Sequence, residues 1–422
     1  VLNTYRASII LIALYLLALA VLPDRQLLAD DSDTARNLKP LPSSLTKLLK
    51  NGSLRVELSD GTAIASFRDD DPLIPASILK VATAYCALEE LGRDYRFETL
   101  FLSDFSGTLF IKGSGDPGLV SETLQEIAIA IAEKVHYIDR IVVDTSLFSS
   151  EIAIDGSDRS LNPYDAKNAA FVANYSTALV TRSKRDGAVS SAEPHTPLTP
   201  LSQSAGLRLA RGSTERINLS QNMQSGTRYG GELLAAFLRS KGVAGAMRVD
   251  LGGVDSGAKV LLRHRSQNTL EDTIRGMLEF SNNFTANQIF LTLGHERFGA
   301  PATVPKGKRA LSDCLSTRVG WRDFQIEEGS GLSRKNRVTG QQMTALLKRF
   351  ERYSFLLPNK QGYLAKTGTL RGVNSLAGYL DLAGSNGQNA RFSIIINSEV
   401  PHLHKFKVAD ELRRYLNGGA VY

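Results

Sequence analysis

Ser77 and Lys80 stand three residues apart in Pro75-Ala76-Ser77-Ile78-Leu79-Lys80, and far along the chain come Ser281-Asn282-Asn283 and then Lys366-Thr367-Gly368-Thr369. On a helix, residues three apart face the same side, so the Lys80 amine comes within reach of the Ser77 hydroxyl. A serine hydroxyl is a poor nucleophile until a base takes its proton. The pair therefore reads as a nucleophile with its base. Lys366 and the hydroxyls of Thr367 and Thr369 are donors suited to a carboxylate, and Gly368 is expected to let a substrate backbone come close to a strand.

Each motif also recurs by accident, and its surroundings must sort it. Ser44-Leu45-Thr46-Lys47 is a second Ser-x-x-Lys, and Ser220-Gln221-Asn222 and Ser266-Gln267-Asn268 are further Ser-x-Asn triplets. From Ser77 to Leu91 the residues are mostly helix formers, with Pro75 ahead and Gly92 as a stop; Ser44 to Lys50 reads as a short surface helix. Leu270, Ile274, Met277 and Leu278 form a buried stripe, and a second apolar run covers Phe284 to Leu293, which puts Ser281 and Asn283 on a turn between two helices. Lys366–Thr369 opens a strand placed at a sheet edge. Two more strands follow, Val373–Leu382 and Ala390–Ile396, around the turn Gly384-Ser385-Asn386-Gly387, and a final helix runs from about Lys407 to Leu416.

Ser-x-x-Lys, Ser-x-Asn and Lys-Thr-Gly in this order are the motif set of active-site serine penicillin-binding proteins and class A β-lactamases. The surrounding words resemble the D-alanyl-D-alanine carboxypeptidase/endopeptidase family, peptidase S13, the class C low-molecular-mass penicillin-binding proteins. They are the nucleophile segment itself, Gly113-Ser114-Gly115-Asp116-Pro117, Ile141-Val142-Val143-Asp144-Thr145-Ser146-Leu147-Phe148, Asn162-Pro163-Tyr164-Asp165-Ala166 and Glu328-Gly329-Ser330-Gly331-Leu332-Ser333-Arg334. The likeness runs from about Ser53 to Ile396. One departure is the short Phe355–Ala365 stretch, which lacks the Gly-x-Asp-Gly-Thr segment usual before Lys-Thr-Gly; it removes no catalytic residue.

The resemblance implies an α/β (α+β) multi-domain chain, a penicillin-binding transpeptidase/β-lactamase-like domain interrupted by a large insertion. The expected division is 30–94 with 255–422 for the catalytic domain and 95–254 for the insertion, with a loop-rich, Pro-containing sub-insertion at 183–225. Strands alternate with a helix at Ser121–Val135 in the first part of the insertion, and Tyr229–Lys241 reads as an amphipathic helix.

By the same resemblance the protein is a serine D-Ala-D-Ala carboxypeptidase, with DD-endopeptidase activity as an addition, acting on peptidoglycan stem peptides and acylated by β-lactam antibiotics. Ser77 would attack, Lys80 would take its proton, Ser281 would relay a proton to the leaving amine and Asn283 would bind the substrate backbone. Lys80 must be neutral to act, and burial and the nearby Lys366 charge would both lower its pKa. Lys366, Thr367, Gly368 and Thr369 would receive the terminal carboxylate, with backbone N–H groups of Ser77 and Thr369 as the oxyanion hole. Asp165 is the candidate to read the free amine of the stem peptide's diamino acid, against an ordinary turn aspartate. Arg334 is the candidate for a substrate carboxylate, against a loop-bracing ion pair. The alternatives are a β-lactamase, which the long insertion argues against, another serine hydrolase on this scaffold, or a catalytically silent wall-binding homologue.

Address and composition agree with an exported protein. Arg6 precedes an apolar run from Ala7 to Leu22, shorter than the roughly 20 residues that span a bilayer, and Ala18-Leu19-Ala20 offers a cleavage site. Residues 1–29 thus read as a signal peptide, with a retained membrane anchor as the alternative. The net charge of +7 is spread thinly, with no Lys/Arg cluster interleaved with aromatics, which argues against nucleic acid. No metal or cofactor is implied: the six His are scattered, and His402 with His404 is one weak pair. Cys86 and Cys314 could pair, but Cys86 on the nucleophile helix reads as a buried apolar filler.

Overall fold

Val373–Asp381 is buried at every position but its last, as befits a strand covered on both faces, whereas Glu98–Ser103 alternates between part-buried and buried positions, as a half-covered strand does. These strands belong to two different sheets in the computed structural model, which describes residues 38, 40–382 and 389–418. Residues 1–29, read from sequence as a signal peptide, and the turn at Gly384–Gly387 lie outside the described residues.

Strands and helices are numbered along the chain. The first sheet holds β1 (Gly52–Glu57), β2 (Ala63–Phe67), β11 (Asn359–Lys360), β12 (Tyr363–Leu370), β13 (Val373–Asp381) and β14 (Asn389–Ile396) in the order β11-β12-β13-β14-β1-β2. All neighbours are antiparallel. β11 pairs only with Tyr363 and Leu364, so no strand among the described residues pairs with Lys366–Thr369 on that side. One face is covered by α1 (Ser43–Leu49) and α10 (His404–Leu416), whose Leu45, Leu49, Phe406 and Leu412 join Leu54, Leu376 and Ile394. The other face receives a helical layer: α2 (Lys80–Leu91), α6 (Leu270–Phe280), α7 (Asn283–Phe298), α8 (Val304–Cys314) and α9 (Gly340–Phe350).

Between α2 and α6 the chain builds a second core around a five-stranded sheet, β10-β3-β4-β5-β9. Its strands are β3 (Glu98–Ser103), β4 (Thr108–Lys112), β5 (Arg140–Asp144), β9 (Arg248–Gly252) and β10 (Lys259–Arg265). β4, β5 and β9 run parallel, and α3 (Ser121–Ala132) and α5 (Met223–Ser240) provide the crossovers that parallel strands need. β10 pairs with β3 along its length, so the expected boundary at 254 falls short: the sheet of the insertion continues to Arg265. The 183–225 stretch is also more regular than its composition suggests. It carries β7 (Val189–Ser191) and β8 (Thr214–Asn218), which flank β6 (Thr177–Arg182), and α4 (Pro200–Gly206). There Pro200 stands at the helix start, where its missing N–H costs nothing, after a Thr199 capping box.

Cys86 is buried as expected but is not a mere filler: it forms a disulfide with Cys314, 228 residues away. Both lie in the helical core, where the end of α8 meets α2. Sequence spacing carries no record of that meeting.

Candidate active site

Ser77 lies in a single turn of 3-10 helix, Ala76–Leu79, and the α-helix starts only at Lys80. Three residues per turn stack positions i and i+3 directly, and Lys80 Nζ donates to Ser77 Oγ at 3.0 Å. The turn is entered through Ala76 at φ 52°, a left-handed conformation that alanine rarely holds without outside support. Gly331 packs against it so closely that a Cβ there would sit 1.9 Å from the Ala76 carbonyl oxygen.

Lys80 is fully buried. Besides Ser77, its amine donates to Asn283 Oδ1 at 2.7 Å and to the Ser330 carbonyl at 2.7 Å. Those two oxygens can only accept, while a serine hydroxyl can accept or donate. When Lys80 loses a proton, two N–H bonds stay on Asn283 and Ser330 and the lone pair is left facing Ser77. Burial pulls the lysine down to about 7, against the opposing pull of the Glu328 carboxylate. Glu328 is itself fully buried and accepts from the Ser330 N–H and hydroxyl, the Ser333 N–H, Asn287 and Asn336. It thereby fixes the loop that presents the Ser330 carbonyl.

Ser281 terminates α6 in the left-handed conformation, and Asn282 caps α7 by accepting from the Thr285 N–H. This helix-to-helix turn projects Ser281 toward β12, where Lys366 Nζ donates to Ser281 Oγ and to the Thr367 carbonyl, both at 2.9 Å. Lys366 is 1% exposed. Burial first, then the charges of Lys80, Lys360 and Lys405, push it down to about 6. Strand alternation turns Thr367 and Thr369 to the opposite, more accessible face.

Gly368 is required by the protein's own packing. A Cβ there would lie 2.1 Å from Ser375 Oγ, 2.9 Å from the Pro75 carbonyl oxygen and 3.0 Å from the Ser77 nitrogen. The protein's own nucleophile turn presses on this glycine. Of the competing motifs, Ser44 donates its hydroxyl to Glu411 and Lys47 is exposed.

Ser77, Lys80, Ser281, Asn283 and Lys366–Thr369 thus meet at one place. Asp165 and Arg334 bind elsewhere. Asp165 is buried and accepts from the Asp158 N–H and the Ser160 hydroxyl of its own loop. Both bonds are ones that a turn aspartate makes. Arg334 is exposed and donates to the Arg371 carbonyl beyond the end of β12; it braces that loop through a carbonyl, where an ion pair was the alternative. Two buried groups escaped the sequence reading. Glu328 was visible inside the Glu-Gly-Ser-Gly-Leu-Ser-Arg segment, while Lys405 lies in no motif. Ser281 and Asn283 also line a cavity of about 510 Å³ whose other walls include Tyr164, Tyr175, Glu193 and Arg216 of the insertion. Among the described residues, no group of three or more His, Cys, Asp or Glu is placed to hold a metal.

The chain matches the D-Ala-D-Ala carboxypeptidase 3 (S13) family over residues 47–359 and 352–415. It is 26% identical to a D-alanyl-D-alanine carboxypeptidase of an Actinomadura species, covering 93% of this chain and 87% of the relative. It is 24% identical to the D-alanyl-D-alanine carboxypeptidase DacB of Haemophilus influenzae, covering 84% and 88%. The crystal structure of penicillin binding protein 4 (dacB) from Haemophilus influenzae superposes with a TM-score of 0.71 at 22% identity, over 88% of this chain and 99% of that one; this likeness is one of fold.

Proposed function

The chain belongs to the D-Ala-D-Ala carboxypeptidase 3 (S13) family, and from that premise we propose that it is a serine D-alanyl-D-alanine carboxypeptidase hydrolysing peptidoglycan stem peptides through an acyl-serine intermediate. The observation that carries this reading is the buried Lys80 amine on Ser77 Oγ, held by two further acceptors.

In this reading Ser77 Oγ attacks the carbonyl carbon of the penultimate D-Ala and Lys80 takes the hydroxyl proton. The oxyanion forms against the backbone N–H groups of Ser77 and Thr369, donors fixed before the reaction begins. Ser281, joined to Lys366, passes its proton to the amine as the C–N bond breaks and the terminal D-Ala leaves, and the proton held by Lys80 returns to Ser281, which leaves Lys80 neutral again. Water, deprotonated by Lys80, then attacks the ester and frees Ser77. Asn283 uses its Oδ1 on Lys80, so its amide N–H bonds are the ones left for the substrate backbone. Thr367, Thr369 and Lys366 receive the terminal carboxylate, and Arg334, beyond the end of that strand, is a second cation for a substrate carboxylate. β-Lactams acylate Ser77 by the same attack.

The cavity beside Ser281 supports substrates larger than a single stem peptide, hence DD-endopeptidase activity on cross-linked dimers. Export to the wall compartment is supported by the Cys86–Cys314 disulfide, a bond typical of oxidising surroundings. No helix among the described residues is long and apolar enough to cross a membrane.

The test is to incubate the purified protein with muropeptides and follow free D-Ala and cross-linked dimers together. Release of D-Ala is expected, and loss of dimers adds the endopeptidase activity. Neither product would leave a wall-binding protein and overturn the reading.

A further inference from the structure

Lys405 sits in the first turn of α10 and is fully buried behind β12. Its backbone N–H donates to Asn374 Oδ1, and Asn374 in turn donates to the His402 carbonyl, so the turn leading into α10 is pinned to β13. The side chain reaches the motif strand. Nζ donates to the Gly368 carbonyl at 2.8 Å and to Thr369 Oγ1 at 2.6 Å.

Three features of this contact are unusual for a structural lysine. It has no acidic partner in any ion pair among the described residues, although lysines are almost never fully buried unless paired. Only two of its three donors meet acceptors among the described residues, so one direction remains open. And an ammonium cannot accept, so the hydrogen of the Thr369 hydroxyl cannot turn back to it. With its oxygen held by Lys405, Thr369 must aim that hydrogen away, and Thr369 is on the exposed side of the strand. The arrangement has a cation and an oriented hydroxyl donor but lacks an anion.

We infer that Lys405 is a positioning and specificity residue for the substrate's terminal carboxylate: it orients the Thr369 hydroxyl as a donor and supplies, from behind β12, the positive charge that the carboxylate neutralises. This rests on the carboxypeptidase reading above for the identity of the anion. Lys366, bonded to Ser281 and the Thr367 carbonyl, has one donor left of its three, and Lys405 adds a second cation on the same strand.

The experiment reads binding without chemistry, in protein carrying Ser77→Ala. An acetylated D-Ala-D-Ala dipeptide and its C-terminal amide are titrated by NMR into this protein and into versions that also carry Lys405→Met or Lys405→Arg. The acid is expected to bind more tightly than the amide, Lys405→Met to weaken the acid by about tenfold or more with the amide unchanged, and Lys405→Arg to restore most of the preference. Equal weakening of both ligands by Lys405→Met would mean that Lys405 only supports the strand. No weakening, or no preference for the acid in the Ser77→Ala parent, would equally overturn the inference. Failure of the carboxypeptidase reading shows separately, as wild-type protein that binds the acid yet releases no D-Ala from muropeptides.

Discussion

In the loop around Asp165 the carboxylate finds the Asp158 N–H and the Ser160 hydroxyl seven and five residues away. In the cleft, Lys80 draws Asn283 and Ser330 from 203 and 250 residues away. The two charged groups are both buried, yet they are treated oppositely. The loop answers its charge with donors a few residues away. The cleft gathers Lys80, Lys366 and Lys405 without a matching number of carboxylates, and burial lowers all three lysines, to about 7, 6 and 8. A buried charge that is poorly neutralised costs stability unless it gives up its proton or gains a ligand. Such groups mark function more reliably than satisfied ones do.

The comparison breaks most sharply at Ser77. Ser77→Ala should abolish covalent labelling by a fluorescent penicillin, while Ser44→Ala should leave it intact; intact-mass analysis locating the label on any other residue would remove the cleft from consideration. Lys80→Arg keeps a positive charge that cannot readily be lost, and acylation should fall by about 10²–10⁴-fold with the circular dichroism spectrum retained. Near-normal labelling in that variant would show that the lowered lysine is not the base.

The pH profile sharpens the same point. Lys80 acts when neutral, and its folded value lies below that of an ordinary lysine, so acylation should rise with pH through about 7. A rise delayed to the ordinary lysine range near 10 would contradict the burial argument.

Smaller effects are expected where groups serve the fold. The Cys86–Cys314 bond closes a long stretch of chain, and Cys86→Ser with Cys314→Ser should lower unfolding free energy by about 2–4 kcal/mol, read from denaturant midpoints, with the acylation rate of the folded fraction preserved. Asp165→Ala leaves two donors without their acceptor and should cost about 1–3 kcal/mol. It should lower kcat/KM for stem peptides and acylation by penicillin by similar factors. A loss confined to peptides with a free side-chain amine would return Asp165 to the substrate and erase the contrast between loop and cleft.

The order Ser77-x-x-Lys80, Ser281-x-Asn283, Lys366-Thr367-Gly368 was legible because it matches a known motif set and because each piece is a local pattern on a helix start, a helix-to-helix turn or a strand. The same local physics gave the stripe of α6, the strands β12 to β14 and the helix α3. Three things lay beyond it. That Ser77 sits in a 3-10 turn, entered through a left-handed Ala76 against which Gly331 packs, is a matter of tertiary contact. Whether Cys86 is a filler or half of a disulfide depends on α8 lying against α2. Whether Lys405 matters depends on α10 returning behind β12.

Residue types and spacings determined which groups could do chemistry here, since reach along a helix turn or a strand is fixed by backbone geometry. The tertiary structure decided their electrostatics, because desolvation and unlike-charge contact are set by neighbours hundreds of residues away. Lys80 and Lys47 follow serines at the same spacing. One is buried against Asn283 and Ser330 and lowered to about 7, and the other lies exposed on a surface helix.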